Sequence, residues 1–196
     1  ILMDATTNQI KFTTNDMELG IETIVEGTIE EKGKVALDAK IFYEIIRRLP
    51  DNDVTIKTDD KYAATITCEK AKFNIPGKSG EDFAYLPMIE KDEPLTISQY
   101  TLKEMIRQTI FSIAVNENNK LMTGELFEIK NNCLKVVSLD GHRISIRKMS
   151  LKKDYSDRKV VVPGKTLSEV SKILSGEVDD QVSIYFTKNH ILFEFD

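Results

Sequence analysis

A chain of 196 residues, 41% hydrophobic and 30% charged, has room for one large domain or two of ordinary size, and its composition excludes a disordered chain. A net charge of −5 excludes a protein coated in basic surface, although an acidic chain can still hold a polyanion on one segregated cationic face. No apolar run approaches the roughly 18 residues of a membrane-spanning helix, no signal-peptide pattern opens the chain, and Cys68 and Cys133 lack metal-ligand spacing. The expectation is a cytoplasmic protein with reduced thiols, without metal or cofactor.

Taken in order, Ile1–Met3 and Ile10–Thr14 read as strands around a polar turn, and Leu19–Val25 alternates as a third. Val35–Leu37 is short and extended. Asp38 then caps a helix whose inward residues are predicted as Ile41, Phe42, Ile45, Ile46 and Leu49, stopped at Pro50. Val54–Lys57, Tyr62–Cys68 and Lys72–Ile75 suit successive hairpin strands. Pro76 to Pro94 has the Pro, Gly and charged residues of a long surface connection, with a domain boundary at its end, giving domains 1–94 and 95–196.

After Leu95–Ile97 a second helix starts at Tyr100 or Thr101, with Leu102, Met105, Ile106, Ile110 and Ile113 inward. Asn116 to Lys120 reads as a polar, mobile loop. Leu126–Ile129 and Leu134–Ser138 are strands, and Asp140-Gly141 makes a tight turn before an alternating strand through Ile144 and Ile146. That turn carries His142 and Arg143. Val160–Val162 is extended, and Pro163-Gly164 opens a third helix with Leu167, Val170, Ile173 and Leu174 inward. Val182–Phe186 and Ile191–Phe195 end the pattern as strands.

The chain repeats itself. Val35-Ala-Leu-Asp-Ala-Lys40 matches Val160-Val-Val-Pro-Gly-Lys165 at an offset of 125, and the helices that follow match in step: Glu44 with Glu169, Arg47 with Lys172, Leu49 with Leu174. Ile10-Lys11 matches Leu134-Lys135, and Asp16 falls on Asp140, at an offset of 124. Two copies at this period mean duplicated domains, not a solenoid. Copy two has a leader that copy one lacks, and copy one has a tail with no counterpart in copy two. The expectation is therefore a fragment of a longer protein.

Each helical segment counts one more cation than anion, within a chain of −5. Lys40, Arg47 and Arg48 lie on the first, Lys103 and Arg107 on the second, and Lys165 and Lys172 on the third. Such faces suit phosphates without reading bases, although solvated helix charge looks the same on any single helix.

The order Thr101-Leu-Lys, Phe111-Ser-Ile-Ala, Leu121-Met-Thr-Gly-Glu-Leu-Phe127, Asp140-Gly-His-Arg-Ile144 and Val161-Val-Pro-Gly-Lys165 resembles the bacterial DNA polymerase III β subunit family, the sliding clamps, across essentially the whole chain. The resemblance implies an α+β DNA-clamp fold, with duplicated domains whose helices line an inner face and whose antiparallel sheets lie outside. It implies a non-catalytic processivity factor: a homodimer ring of three-domain subunits around double-stranded DNA, without sequence preference. Its partners would be the polymerase III catalytic subunit, the clamp loader and repair proteins, all through linear motifs. Domain three would be absent here and the other two incomplete.

Carried over by position, the partner-peptide pocket falls on Met122, Leu139, Gly141, His142, Arg143 and Ile144. Leu139 stands where Thr is common and Met122 where Leu is usual; both keep or increase apolarity. The DNA-facing positions are Lys40, Arg47, Lys103, Arg107, Lys120, Lys165 and Lys172. Two other readings remain open from the residues alone. One is an enzyme with His142 beside Asp140 as general base and Ser138 or Ser145 as nucleophile. The other is a duplicated-domain interaction module that does not encircle DNA.

Overall fold

Ile1–Pro87 and Met88–Asp196 each close around a separate core, in a computed structural model that describes residues 1–115 and 119–196. In the first unit β1 (Leu2–Asp4), β2 (Ile10–Asn15), β3 (Gly20–Val25) and β4 (Lys34–Leu37) lead into helix α1 (Ala39–Ile46). Then follow β5 (Thr55–Thr58), β6 (Ala64–Cys68), β7 (Ala71–Ile75) and the short β8 (Gly77–Ser79). One antiparallel sheet has the order β3-β2-β1-β4-β8 and the other β5-β6-β7. Between them Val35, Leu37, Phe42, Ala64, Ile66 and Ile75 form the core.

The helix starts where Asp38 is, because its carboxylate accepts the Ile41 N–H at 2.8 Å and satisfies an otherwise unpaired donor. Only Phe42 of α1 is fully buried, and Ile41, predicted inward, is 46% exposed. The helix ends at Ile46, so Leu49 follows it in a turn. The predicted surface connection from Pro76 also needs correction. Its first residues pair as β8 with β4, followed by a 3-10 turn at Gly80–Asp82. Lys34 fixes this segment through Glu81 at 2.7 Å and the Tyr85 hydroxyl at 3.0 Å. Gly-Lys-Ser has no apolar alternation, so its strand character comes only from the free edge of β4.

The second unit runs β9 (Leu95–Ser98), α2 (Gln99–Arg107), β10 (Gly124–Lys130), β11 (Cys133–Leu139), β12 (Ile144–Ser150), β13 (Arg158–Pro163), α3 (Gly164–Ile173), β14 (Gln181–Phe186) and β15 (Ile191–Glu194). Its sheets are β12-β11-β10-β13 and β15-β14-β9. The core joins Leu102, Met105 and Ile106 of α2 to Leu167 and Val170 of α3, and to Phe127, Leu134, Val136, Val182 and Ile184. Each such side chain contributes about 1.5–3 kcal/mol on burial. β10 and β11 meet through Asn131 and Asn132, both left-handed (φ 51° and 54°), which a two-residue hairpin turn requires.

Ile110 and Ile113, predicted on α2, lie beyond its end around a 3-10 turn at Ile110–Ser112. Ile173, predicted inward, is 52% exposed, because it stands one helical step of about 100° from Leu174. Lys91 is ion-paired with Glu194, which ties the residues after Met88 to the second unit, ahead of the boundary expected at 94/95. Of the loop predicted over 116–120, residues 116–118 lie outside the described residues. Among the described residues, no helix is long and apolar enough to cross a membrane.

The sequence repeat is a repeat of register. Leu2 faces Thr13 and Ala36, while Leu126 faces Val137 and Val161, each partner displaced by 124 or 125 residues. The strand order β3-β2-β1-β4 recurs as β12-β11-β10-β13, and α1 recurs as α3.

Candidate partner-binding turn and basic helix faces

β11 and β12 are in register to the pair Leu139–Ile144, which leaves Asp140 to Arg143 as a four-residue turn, longer than the tight Asp-Gly turn predicted. The length follows from the aspartate. Asp140 Oδ1 accepts the His142 N–H at 3.0 Å and the Arg143 N–H at 3.1 Å, and its own N–H reaches the Arg143 carbonyl at 3.3 Å. Gly141 sits between at φ +85°. Asp140 Oδ2 accepts Arg143 Nε at 2.8 Å, and the guanidinium lies 6.0 Å from the Phe111 ring centroid. The His142 N–H and the Arg143 donors hold the Asp140 carboxyl below its ordinary range.

Leu139, Gly141, His142, Arg143 and Ile144 are thus contiguous on one rigid turn. Ile144 and Ile146 are more than half exposed, as is Phe111. Met122 stands on a neighbouring 3-10 turn, Lys120–Thr123, where its carbonyl accepts the Ala114 N–H at 2.9 Å. This joins Met122 to the segment carrying Phe111 and Ser112, and Ser112 Oγ bonds Ser145 Oγ at 2.6 Å on β12. Sequence reasoning did not assign Phe111 to the site. Its signal was an aromatic residue between Ile110 and Ser112, just past a helix end.

Asp140, Ser138 and Ser145 of the enzyme reading are engaged elsewhere. Asp140 is committed to two backbone N–H groups and to Arg143, and the buried Ser138 hydroxyl donates to the Thr109 carbonyl. Ser145 is bonded to Ser112. No His142–Asp140 side-chain dyad is assembled.

On the helices, Lys40 and Lys165 are exposed, and Lys120 is exposed on its 3-10 turn. Arg47 pairs with Glu44 at 2.9 Å, Arg107 with Glu104 at 2.7 Å, and Lys172 with Glu169 at 2.8 Å. Lys103 reaches across to α3 and donates to the Leu174 carbonyl at 2.8 Å, covering an orphan acceptor at that helix end.

Deep in the second unit is a group that sequence reasoning missed. Glu125 is fully buried, and among the described residues neither carboxylate oxygen has a hydrogen-bond partner. Burial pushes its pKa up to about 7; the nearby Thr109 hydroxyl, already donating to the Met105 carbonyl at 2.7 Å, offsets this only in part.

Two copies of a four-strand and helix unit, with basic helices and an apolar, cationic turn on the second, define a duplicated α+β clamp fold. Residues 1–87 match the N-terminal domain of the DNA polymerase III beta subunit, and residues 96–196 match its central domain. The chain belongs to the DNA polymerase III β subunit family. It is 31% identical over 201 residues to the beta sliding clamp of Staphylococcus epidermidis, covering 98% of this chain and 53% of that one. A crystal structure from Eubacterium rectale assigned to the DNA polymerase III beta subunit is 67% identical with a TM-score of 0.97, covering 100% of this chain and 53% of that one. The DNA polymerase sliding clamp of Bacillus subtilis is 33% identical with a TM-score of 0.92, covering 98% of this chain and 53% of that one. The chain therefore spans about half the length of the relatives it matches.

Proposed function

We propose that this chain supplies two domains of a cytoplasmic sliding clamp, a non-catalytic ring dimer that encircles duplex DNA and tethers replication and repair proteins through linear motifs. The observation that carries the reading is the turn Asp140–Arg143. Its cation is fixed from two sides, by Asp140 and Phe111, beside exposed apolar Ile144 and Ile146. A preoriented cation over an apolar strip suits an extended peptide with hydrophobic anchors and a nearby acid. Lys40, Arg47, Lys103, Arg107, Lys120, Lys165 and Lys172 are the candidates to face DNA, with Lys103 also engaged as a helix cap.

A second copy needs its own docking place. In the first unit Ile41, Ile45 and Phe73 line an open hollow of about 310 Å³ between α1 and edge strand β7, rimmed by Lys40, Glu44 and Arg48. An apolar floor with charges of both signs at its rim is what a subunit contact uses.

The test is binding of a fluorescent peptide with two apolar anchors and an acidic residue. Replacing His142 and Arg143 together by Ala should weaken it by about tenfold or more. Unchanged affinity would remove the turn from the site. In the complete protein, retention on circular DNA with escape from linear ends checks the ring; equal release from both would sink encirclement.

A further inference from the structure

The three helices share one pattern of charge that neither the fold nor the partner site demands. At the helical spacing i, i+3, i+4, i+7, α1 presents Lys40, Tyr43, Glu44 and Arg47. On α2 the same places hold Tyr100, Lys103, Glu104 and Arg107, and on α3 they hold Lys165, Ser168, Glu169 and Lys172. The third place is glutamate every time, and every time it pairs with the cation three residues on, at 2.9, 2.7 and 2.8 Å. On α1 Glu44 also takes Arg48 at 3.0 Å. On α2 both Glu104 oxygens receive the Arg107 guanidinium, and this fork holds the Glu104 carboxyl below its ordinary range.

We propose that Glu44, Glu104 and Glu169 limit the grip on DNA, each acting as a resident competitor for the phosphate that its Arg or Lys would otherwise bind. This rests on the reading of these helices as DNA-facing. A surface built for tight phosphate binding leaves its cations bare, and each bare cation releases condensed counterions when it binds. Here the last cation of each stripe already carries a carboxylate. A phosphate must displace that carboxylate, so one ion pair is exchanged for another and little is gained. Exposed pairs three residues apart are weak and break readily, so the exchange is available at every step along the duplex. The outcome is a shallow energy profile along the DNA.

The readout is duplex affinity of this chain against salt, with Glu44, Glu104 and Glu169 all replaced by Gln. A control replaces Glu26, Glu30 and Glu177, off the helices, by Gln with the same change in charge. The helix variant should bind about five- to tenfold tighter at low salt, near twofold for each pair released. Its plot of log affinity against log salt should steepen by about 0.9 for each cation freed, with the control close to the parent. Adding Arg47→Gln, Arg107→Gln and Lys172→Gln should abolish the gain, and unchanged circular dichroism guards against loss of helix. If the parent binds duplex but the helix variant keeps its slope, or the control steepens as much, the inference fails and the DNA reading stands. If neither parent nor helix variant binds duplex at low salt, these helix faces do not grip DNA and the inference fails, while encirclement stands or falls on retention of circular DNA by the complete protein.

Discussion

The turns at Asp16–Leu19 and Asp140–Arg143 have one backbone and two surfaces. Asp16 Oδ1 accepts the Glu18 and Leu19 N–H groups at 3.0 and 2.7 Å, as Asp140 does for His142 and Arg143, and the Asp16 N–H reaches the Leu19 carbonyl at 3.1 Å. Met17 holds the left-handed place of Gly141, at φ +74° against +85°. What differs is the cargo and the cover. Copy one has Asn15 and Gly20 at the strand pair where copy two has Leu139 and Ile144. Asn15 is bonded to the Ala84 carbonyl at 2.8 Å, and Leu86 packs so closely that a Cβ on Gly20 would lie 2.1 Å from it. Copy one thus lays its own Ala84–Leu86 segment against the Asn15–Gly20 pair and leaves Met17 exposed at the tip, whereas in copy two Leu139 is half-buried and Ile144 exposed. The duplicated element is a support whose side chains differ between the copies, as the proposed partner site on the second copy requires.

The largest difference between the copies lies beneath the turns. The register places Ile1 opposite Leu37 and Glu125 opposite Val162, so an apolar residue in one copy is a buried acid in the other. The folded chain keeps the Glu125 proton up to about pH 7, while the unfolded chain releases it near 4.5. Neutral Glu125 therefore contributes its full stability below pH 4.5, and that contribution is lost as pH rises to about 7. The loss amounts to about 3 kcal/mol on the order of the shift itself. Glu125→Leu, which restores the apolar character of copy one, should remove most of this dependence and stabilise the second unit above pH 7. Urea unfolding of that unit at pH 5 and pH 8 measures it. An equal loss in parent and variant would show that Glu125 is not the group responsible.

How much of this was legible depended on whether the cause was local. The strands, Asp38 as a helix cap and the register of the repeat all follow from spacing within a few residues. Glu125 could have been found as well: in Gly124-Glu-Leu-Phe-Glu-Ile129 it shares the inward phase of Phe127 and Ile129. Polarity hid it, because an unpaired buried acid is rare. β8 was not legible, since only pairing with β4 makes it a strand. Lys103 was not legible as a cap either, because the Leu174 carbonyl is 71 residues away in the chain. Of the candidate site, the turn between Leu139 and Ile144 could be read from the chain. The link from Arg143 to Phe111 required the 3-10 turn that brings the ring beside it.

A smaller effect separates support from cargo within the turns. Asp16→Ala and Asp140→Ala should each speed hydrogen exchange at the two amides that the carboxylate accepts, by about tenfold. Only Asp140→Ala should also weaken peptide binding, because it frees Arg143. Asp140→Asn keeps an acceptor for the backbone and loses the charge pair, so it should spare the amides and still lower affinity. Loss of peptide binding in Asp16→Ala would mean that the first turn is no mere counterpart.

The smallest effect tests whether the two turns make the same conformational demand. A side chain in the left-handed region costs about 1–2 kcal/mol, whereas glycine costs about 0.5–1 kcal/mol in unfolded-state entropy. The two terms nearly cancel, and the remainder should favour glycine by about 0.5 kcal/mol. Gly141→Ala should therefore destabilise the second unit slightly. A Cβ there meets no atom within 4 Å, so no clash contributes. Met17→Gly should stabilise the first unit by a similar amount, since Met17 is 81% exposed and gives up little packing. Opposite signs in urea unfolding of the two units would make the shared backbone the cause. The same sign in both would mean that neighbours, such as the Ala84–Leu86 cover in the first unit, outweigh the turn.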